Sequence, residues 1–360
     1  MPPNNTVSEN GGDNLSLVLY KAGDMRLEQT PLPSKPARNE VLLQTQQVGI
    51  CGSDVSYWVK GHIGGFWVKD PMILGHETSA KVVEVGEGVT HLKPGDRVAI
   101  EPGVPCRYCV DCKEGAYNLC SGIFFSATPP DNGTLTRYFK HAADYCFKLP
   151  DHVSYAEGAL MEPLSVAIHA CSRANVSGGQ KILILGAGPI GLMCILVAKA
   201  YGATDICITD INAERLALAK KIGATSTFLL SKDLGENETA EAIEKLMGCR
   251  PEAVLECSGA SPSIRLALIV CKSGGCVVLI GMGADEVQVP LLSAVCREVD
   301  IRGVFRYKNS YPKAVNLISS GKIDVKPIIS HYFKLEQAHD AFELARSGKA
   351  VKIIIDCSLD

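Results

Sequence analysis

Two kinds of hydrophobic pattern divide the chain. Up to about residue 149, apolar positions fall in short runs at 15–20, 40–48, 80–85, 97–100 and 135–139, cut by Gly, Pro and Asp turns. Such runs predict a small β-rich lobe. From about 154 to 283 strand-like and helix-like patterns alternate, with strands expected near Lys181, Asp205, Thr227, Ala253 and Gly275. Alternation of this kind predicts a doubly wound parallel sheet, an α/β architecture. After Arg302, residues 312–319 and 335–346 read as helices and 351–356 as a closing strand. The expected division is therefore a β-rich domain over 15–158 and 302–360 with a nucleotide-type domain, 159–301, inserted in it. Residues 1–14 are polar, rich in Asn and Gly, and are expected to be disordered.

Composition narrows the function classes. A chain of 360 residues can bury two cores. With a formal charge of −3 and no long basic run, it is not expected to bind nucleic acid or a membrane surface. No apolar stretch reaches the length of a membrane span and no signal pattern opens the chain, so the cytoplasm is the expected location. In that setting the fifteen cysteines read as thiols. Cys194, Cys207, Cys257, Cys271 and Cys276 lie in apolar runs, where a buried thiol acts as a small hydrophobe.

The stretch 181–191, Lys-Ile-Leu-Ile-Leu-Gly-Ala-Gly-Pro-Ile-Gly, reads as a buried strand that runs through a glycine turn into a helix. Gly186, Gly188 and Gly191 have the G-x-G-x-x-G spacing, with Pro189 and Ile190 inside it. Gly186 suits the tight turn, Gly188 lets the backbone approach a pyrophosphate, and Gly191 lets helix and strand pack closely. The helix N-terminus then offers unpaired N–H groups to phosphate. Asp210 ends the next strand, nineteen residues beyond Gly191, where an acid would bond the ribose hydroxyls. A 2′-phosphate beside it would be repelled by about 4 kcal/mol at roughly 4 Å and an effective dielectric of about 20. That favours NAD over NADP, with Arg215 near enough in sequence to soften the preference.

Two sets of residues suit metals. Cys106, Cys109, Cys112 and Cys120 are spaced for a closed tetrahedral zinc site that pins a loop; an iron–sulfur cluster or plain free thiols are the competing readings. Cys51, after an apolar run, and the pair His76-Glu77, just before another strand, supply a soft, a borderline and a hard ligand on the β-rich lobe. Together they would make a three-ligand zinc site with one position open; singly each reads as core or as a solvated pair. Glu162 sits in an apolar stretch before Pro163, where a buried acid needs a partner or caps a helix start.

These residues, with the motif Val-Gly-Ile-Cys-Gly-Ser-Asp over 48–54, Gly-His-Glu over 75–77, the four-cysteine loop and the glycine turn, resemble the zinc-dependent medium-chain alcohol dehydrogenases over nearly the whole chain from Leu15. Tyr57-Trp58, Glu-Pro-Leu-Ser-Val over 162–166 and the segment 298–307 are similar to the polyol branch of that family. The resemblance implies a GroES-like catalytic domain with an inserted Rossmann domain, a dimer or tetramer, and oxidation of a polyol such as sorbitol or xylitol to a ketose with NAD. It further implies that Cys51, His76 and Glu77 hold a catalytic zinc and that Glu162 reaches it through water. Tyr57, Glu162, Arg306 and Tyr307 would face the polyol. Ile190, Asp210 and Arg215 would line the adenosine side of the cofactor, and Ile280, Gly281, Met282, Val304, Phe305 and Arg306 the nicotinamide side. One departure touches proton transfer: Ser56 stands where the polyol branch usually has histidine, with His62 nearby, so Ser53, Ser56, Glu162 and a metal-bound water are the relay candidates. Another secondary alcohol, such as L-arabinitol or L-threonine, is the competing substrate. A non-enzymatic role of crystallin type is the competing class.

Overall fold

The computed structural model describes residues 13–359. The chain forms two compact units, one of residues up to 108 with 120–162 and 329–360, the other of 109–119 with 163–328. Where the pattern placed the divisions at 159 and 302, the units divide at 163 and 329. At 302 the chain is still within the second unit's sheet, where Asp300–Gly303 pairs in parallel with Cys276–Leu279.

In the first unit a seven-stranded sheet runs Cys146–Lys148, Arg97–Ile100, Glu77–Val85, Glu40–Gly49, Lys352–Asp356 and Ile329–Lys334, and Tyr138–Ala142 also pairs with Glu40–Gly49. Register brings Gly49 opposite Glu77 on one side and opposite Ile354 on the other. Leu17, Leu19, Val48, Ile50, Phe342 and Ile355 pack into one apolar core beneath these strands. Cys51 follows directly on that core, as the N-cap of the helix Gly52–Lys60.

The second unit is a six-stranded parallel sheet in the order Ser226–Leu229, Asp205–Asp210, Lys181–Leu185, Ala253–Glu256, Cys276–Leu279, Asp300–Gly303. Leu183, Leu185, Val254 and Val277 are fully buried in it, as expected of strands covered on both faces. The two lobes are thus the GroES-like and Rossmann folds.

Three expectations need correction. The strand expected at 80–85 starts at Glu77, and the one expected at 135–139 is Tyr138–Ala142, because Leu135 and Arg137 bond singly to Leu17, Leu74, Leu15 and Thr45 rather than in a ladder. The disorder expected for residues 1–14 falls outside the described residues save Asp13 and Asn14. Asn14 is buried, and its side chain bonds the Tyr138 amide at 2.8 Å and the Pro31 carbonyl at 3.1 Å. None of the fifteen cysteines is in a disulfide. Of the five in apolar runs four are buried, but Cys257 is half-exposed and lines a cavity. No helix among the described residues is long and apolar enough to cross a membrane.

Candidate active site

In the first unit Cys51, His76 and Glu77 come together, each offering a ligand atom, with those atoms all within 4.8 Å of one another. Two strands and a helix start achieve this. Glu77 opens the strand Glu77–Val85, His76 precedes it, and Cys51 caps the helix that leaves Glu40–Gly49. His76 and Glu77 are buried and Cys51 is half-buried.

Asp54 holds the set in place. Its carboxylate accepts hydrogen bonds from the Cys51 amide and the Gly75 amide, both at 3.1 Å, and stands 3.4 Å from His76 Nδ1. A carboxylate on the Nδ1 side leaves Nε2 as the nitrogen to offer a metal. Burial alone would lower the His76 pKa, yet Asp54 and Cys51 raise it well above its ordinary value. A thiol, an imidazole and a carboxylate that bring their donor atoms within 4.8 Å of one another are a soft, a borderline and a hard ligand, so the donor set fits a divalent cation.

A second partner comes from the far end of the chain. Lys352 Nζ, buried, donates to both Glu77 carboxylate oxygens at 2.7 and 2.8 Å and to the Ile50 carbonyl at 2.9 Å. Desolvation opposes its charge, but Glu77, Cys51 and Glu162 outweigh that and raise its pKa. Glu162, near the start of the helix Met161–Arg173, is buried and contributes to this field. Neither Asp54 nor Lys352 was assigned a role from sequence. Asp54 lay inside the 48–54 motif, and its i+3 spacing from Cys51 was a usable capping signal; Lys352 gave none.

Ser53 is half-buried on the same helix start, and Tyr57 is buried, packed into the core. Ser56 Oγ donates to the Gly52 carbonyl at 2.9 Å, a bond back along its own helix that occupies its proton. The His62 ring stacks on Trp67 with centroids 4.0 Å apart.

The loop 106–120 gathers Cys106, Cys109, Cys112 and Cys120, again with ligand atoms within 4.8 Å of one another. The Cys106 amide donates to Cys120 Sγ at 3.4 Å, and Cys109 and Cys112 Sγ are 3.4 Å apart. Four soft donors, the only ligand atoms gathered there among the described residues, suit a closed structural site.

In the second unit the glycine turn opens onto a cavity of about 640 Å³ lined by Gly186, Gly188, Asp210, Arg215, Cys257 and Ser258. Gly186 adopts φ +99°, and a Cβ on Gly191 would stand 1.9 Å from the Gly186 carbonyl oxygen. Over Gly188 a Cβ would meet nothing within 4 Å, which is the open cradle a pyrophosphate needs. Gly188 caps the helix Pro189–Ala200, so Pro189 and Ile190 lie in its first turn, where amides favour an anion. Asp210 is fixed by the Ala187 amide at 2.6 Å and the Asn212 amide at 2.8 Å. Arg215 lies in the helix Ala213–Ile222, which Asn212 caps.

The other expected cofactor and substrate residues of this unit follow two strand ends. The Ile280 and Gly281 amides both donate to the Glu256 carbonyl, at 2.9 and 3.0 Å, and Met282 is exposed. The Val304 amide donates to the Leu279 carbonyl at 3.0 Å. Arg306, at φ +54°, lays its guanidinium over the Phe305 ring, 4.7 Å from the centroid. Tyr307 is buried, its ring 5.8 Å from that of Tyr311.

With this geometry in place, the likeness to known proteins is specific. Residues 37–151 match the alcohol dehydrogenase GroES-like domain and residues 189–320 the zinc-binding dehydrogenase domain. The chain is 53% identical over 346 residues to sorbitol dehydrogenase of Gallus gallus, covering 96% of this chain and 97% of that one. It is 53% identical to sorbitol dehydrogenase of Homo sapiens over 345 residues, 96% of each. Among solved structures, L-idonate 5-dehydrogenase of Escherichia coli superposes with a TM-score of 0.87 at 29% identity, over 95% of this chain and 98% of that one.

Proposed function

The chain belongs to the zinc-binding alcohol dehydrogenase family, and we propose that it oxidises a secondary hydroxyl of a polyol to the ketose, converting sorbitol to fructose and acting also on xylitol. The observation that carries this reading is the Cys51, His76 and Glu77 donor set, in a chain 53% identical to sorbitol dehydrogenases almost end to end. Zinc held by these three residues would supply Lewis-acid polarisation of the substrate hydroxyl, and NAD at the glycine turn would take the hydride. A second zinc in the four-cysteine loop would be structural, in keeping with a zinc-binding family rather than an iron–sulfur one.

The chain's own residues do the rest. Asp54, 3.4 Å from His76 Nδ1, would orient the His76 ring. Glu162, buried and within the electrostatic field felt by Lys352, would take the departing hydroxyl proton at its carboxylate, with Ser53 on the outward route. Ser56 Oγ donates to the Gly52 carbonyl, so as a relay it would first turn its proton away from that bond. Tyr57, Glu162, Arg306 and Tyr307 hold the remaining polyol hydroxyls. An apolar alcohol would leave those polar groups unpaired, which disfavours ethanol as substrate. We place the enzyme in the cytoplasm as a homotetramer, with no nucleic-acid or membrane partner. The exposed Leu291, Leu292, Val295 and Ile301 support a contact between copies.

The test is NADH formation by purified protein with sorbitol and NAD, run beside xylitol, ethanol and threonine and with NADP in place of NAD. Rapid reduction with sorbitol and NAD is expected. Activity confined to threonine or a simple alcohol would overturn the polyol assignment, and no activity in a zinc-replete sample would overturn the enzyme reading.

A further inference from the structure

Glu77 reaches its partner across an intervening strand. Gly49 lies in register between Glu77 and Ile354, and a Cβ there would stand 2.1 Å from Glu77 Oε2. The bare glycine opens a channel through which the Glu77 carboxylate crosses to Lys352, 275 residues away in sequence. Both carboxylate oxygens are then engaged by one ammonium group, whose third bond goes to the Ile50 carbonyl, next to Cys51. Any cation bound by Cys51, His76 and Glu77 must share that carboxylate with Lys352, a cation only one carboxylate away.

We propose that Lys352 is a positioning residue for the metal centre: its ammonium group shares the Glu77 carboxylate with the metal and so sets how tightly the centre keeps it. The inference rests on the reading of Cys51, His76 and Glu77 as a zinc site and adds a determinant outside the ligand set. Two physical effects give it a direction. The ammonium draws charge from the carboxylate lone pairs that would face the metal, and it repels a divalent ion at short range in a buried site. With the lysine replaced by a neutral group, Glu77 becomes a stronger donor and the empty centre holds an uncompensated buried anion. Metal should therefore bind more tightly, not less.

The experiment follows zinc release from the intact holoprotein to a chromophoric chelator, for wild type, Lys352→Met and Lys352→Arg. The zinc in the four-cysteine loop, released in its own phase, serves as an internal control. Expected is at least tenfold slower release from the Cys51 centre in Lys352→Met, an unchanged four-cysteine phase, and release near wild type in Lys352→Arg, which keeps the charge. The gap in melting temperature between zinc-loaded and zinc-free protein should widen in Lys352→Met; a lysine that only braces the fold would lower both temperatures together. Cobalt substituted at the centre should show shifted d–d bands in Lys352→Met and wild-type bands in Lys352→Arg. Should Lys352→Met fail to fold, Lys352→Gln removes the charge while keeping a donor to Glu77 and is expected to behave likewise. Unchanged or faster release in the neutral variants, with two zincs per chain, overturns the role of Lys352 alone. A wild-type protein that holds zinc only in the four-cysteine loop overturns this proposal and the site reading together.

Discussion

Gly49→Ala perturbs the candidate metal centre without substituting any ligand. The new Cβ would stand 2.1 Å from Glu77 Oε2 and 3.2 Å from Glu77 Cβ, whereas ordinary contact begins at 3.4 Å. Relief needs a displacement of about 1.3 Å, the difference between 3.4 and 2.1 Å. Two routes exist. If the Glu77 carboxylate swings away, its 2.7 and 2.8 Å bonds to Lys352 break, and separating a buried ion pair costs about 3–5 kcal/mol. If the strands part instead, overpacking costs about 1–3 kcal/mol. The second route is cheaper, so the protein should fold with a lowered melting temperature and with Glu77, and His76 just before it in the chain, displaced from Cys51. A ligand misplaced by about 1 Å lowers turnover by about 10²-fold. Zinc per chain by plasma emission, the melting temperature and turnover with sorbitol test this together: zinc should fall from two to one, with the four-cysteine site still filled. Gly52→Ala is the matched control, because a Cβ there meets nothing within 4 Å. Two zincs and wild-type turnover in Gly49→Ala would refute the packing argument.

Other consequences follow from single contacts. Gly191→Ala puts a Cβ 1.9 Å from the Gly186 carbonyl, so NADH affinity by fluorescence titration should fall at least tenfold, with zinc content unchanged. Arg306→Ala should raise the Michaelis constant for sorbitol far more than that for NAD; an unchanged sorbitol constant removes Arg306 from the substrate site. His141 is buried with Nε2 2.9 Å from the Glu101 carbonyl, and burial lowers its pKa from 6.5 to about 4. The unfolded chain therefore binds this proton more readily, so stability is complete above pH 6.5 and about 3 kcal/mol is lost as the pH falls toward 4. His141→Gln should flatten that part of the profile of melting temperature against pH, and an identical acid slope would contradict the assignment.

How far the sequence could be read depended on whether a signal was local. The apolar runs at Lys181–Leu185 and Asp205–Asp210 are strands covered on both faces, and their burial is written into consecutive residues. The edge strand Asp300–Gly303 has a single neighbour and only Arg302 even half-buried, so no periodicity marked it and the expected division came at 302. Cysteines three apart announce themselves, as do glycines in a turn. Asn14 is polar and looked like part of a tail, yet it is buried because the Tyr138 amide and the Pro31 carbonyl take up its amide side chain, partners more than a dozen residues away.

The same limit explains what was missed at the metal centre. Cys51, His76 and Glu77 were legible as residue types able to hold a metal, but the groups that set their charge and orientation were not. Asp54 is three residues from Cys51 and was hidden only by its place in a helix start. Lys352 opens the run Lys-Ile-Ile-Ile-Asp, where a lysine reads as a solvated strand end. Its burial is a property of the sheet: only when Lys352–Asp356 pairs with Glu40–Gly49, and Gly49 leaves a gap, does the ammonium meet Glu77. The residue types of the donor set are thus a local fact of this chain, whereas the contact proposed to set the strength of Glu77 depends on three strands meeting at one glycine.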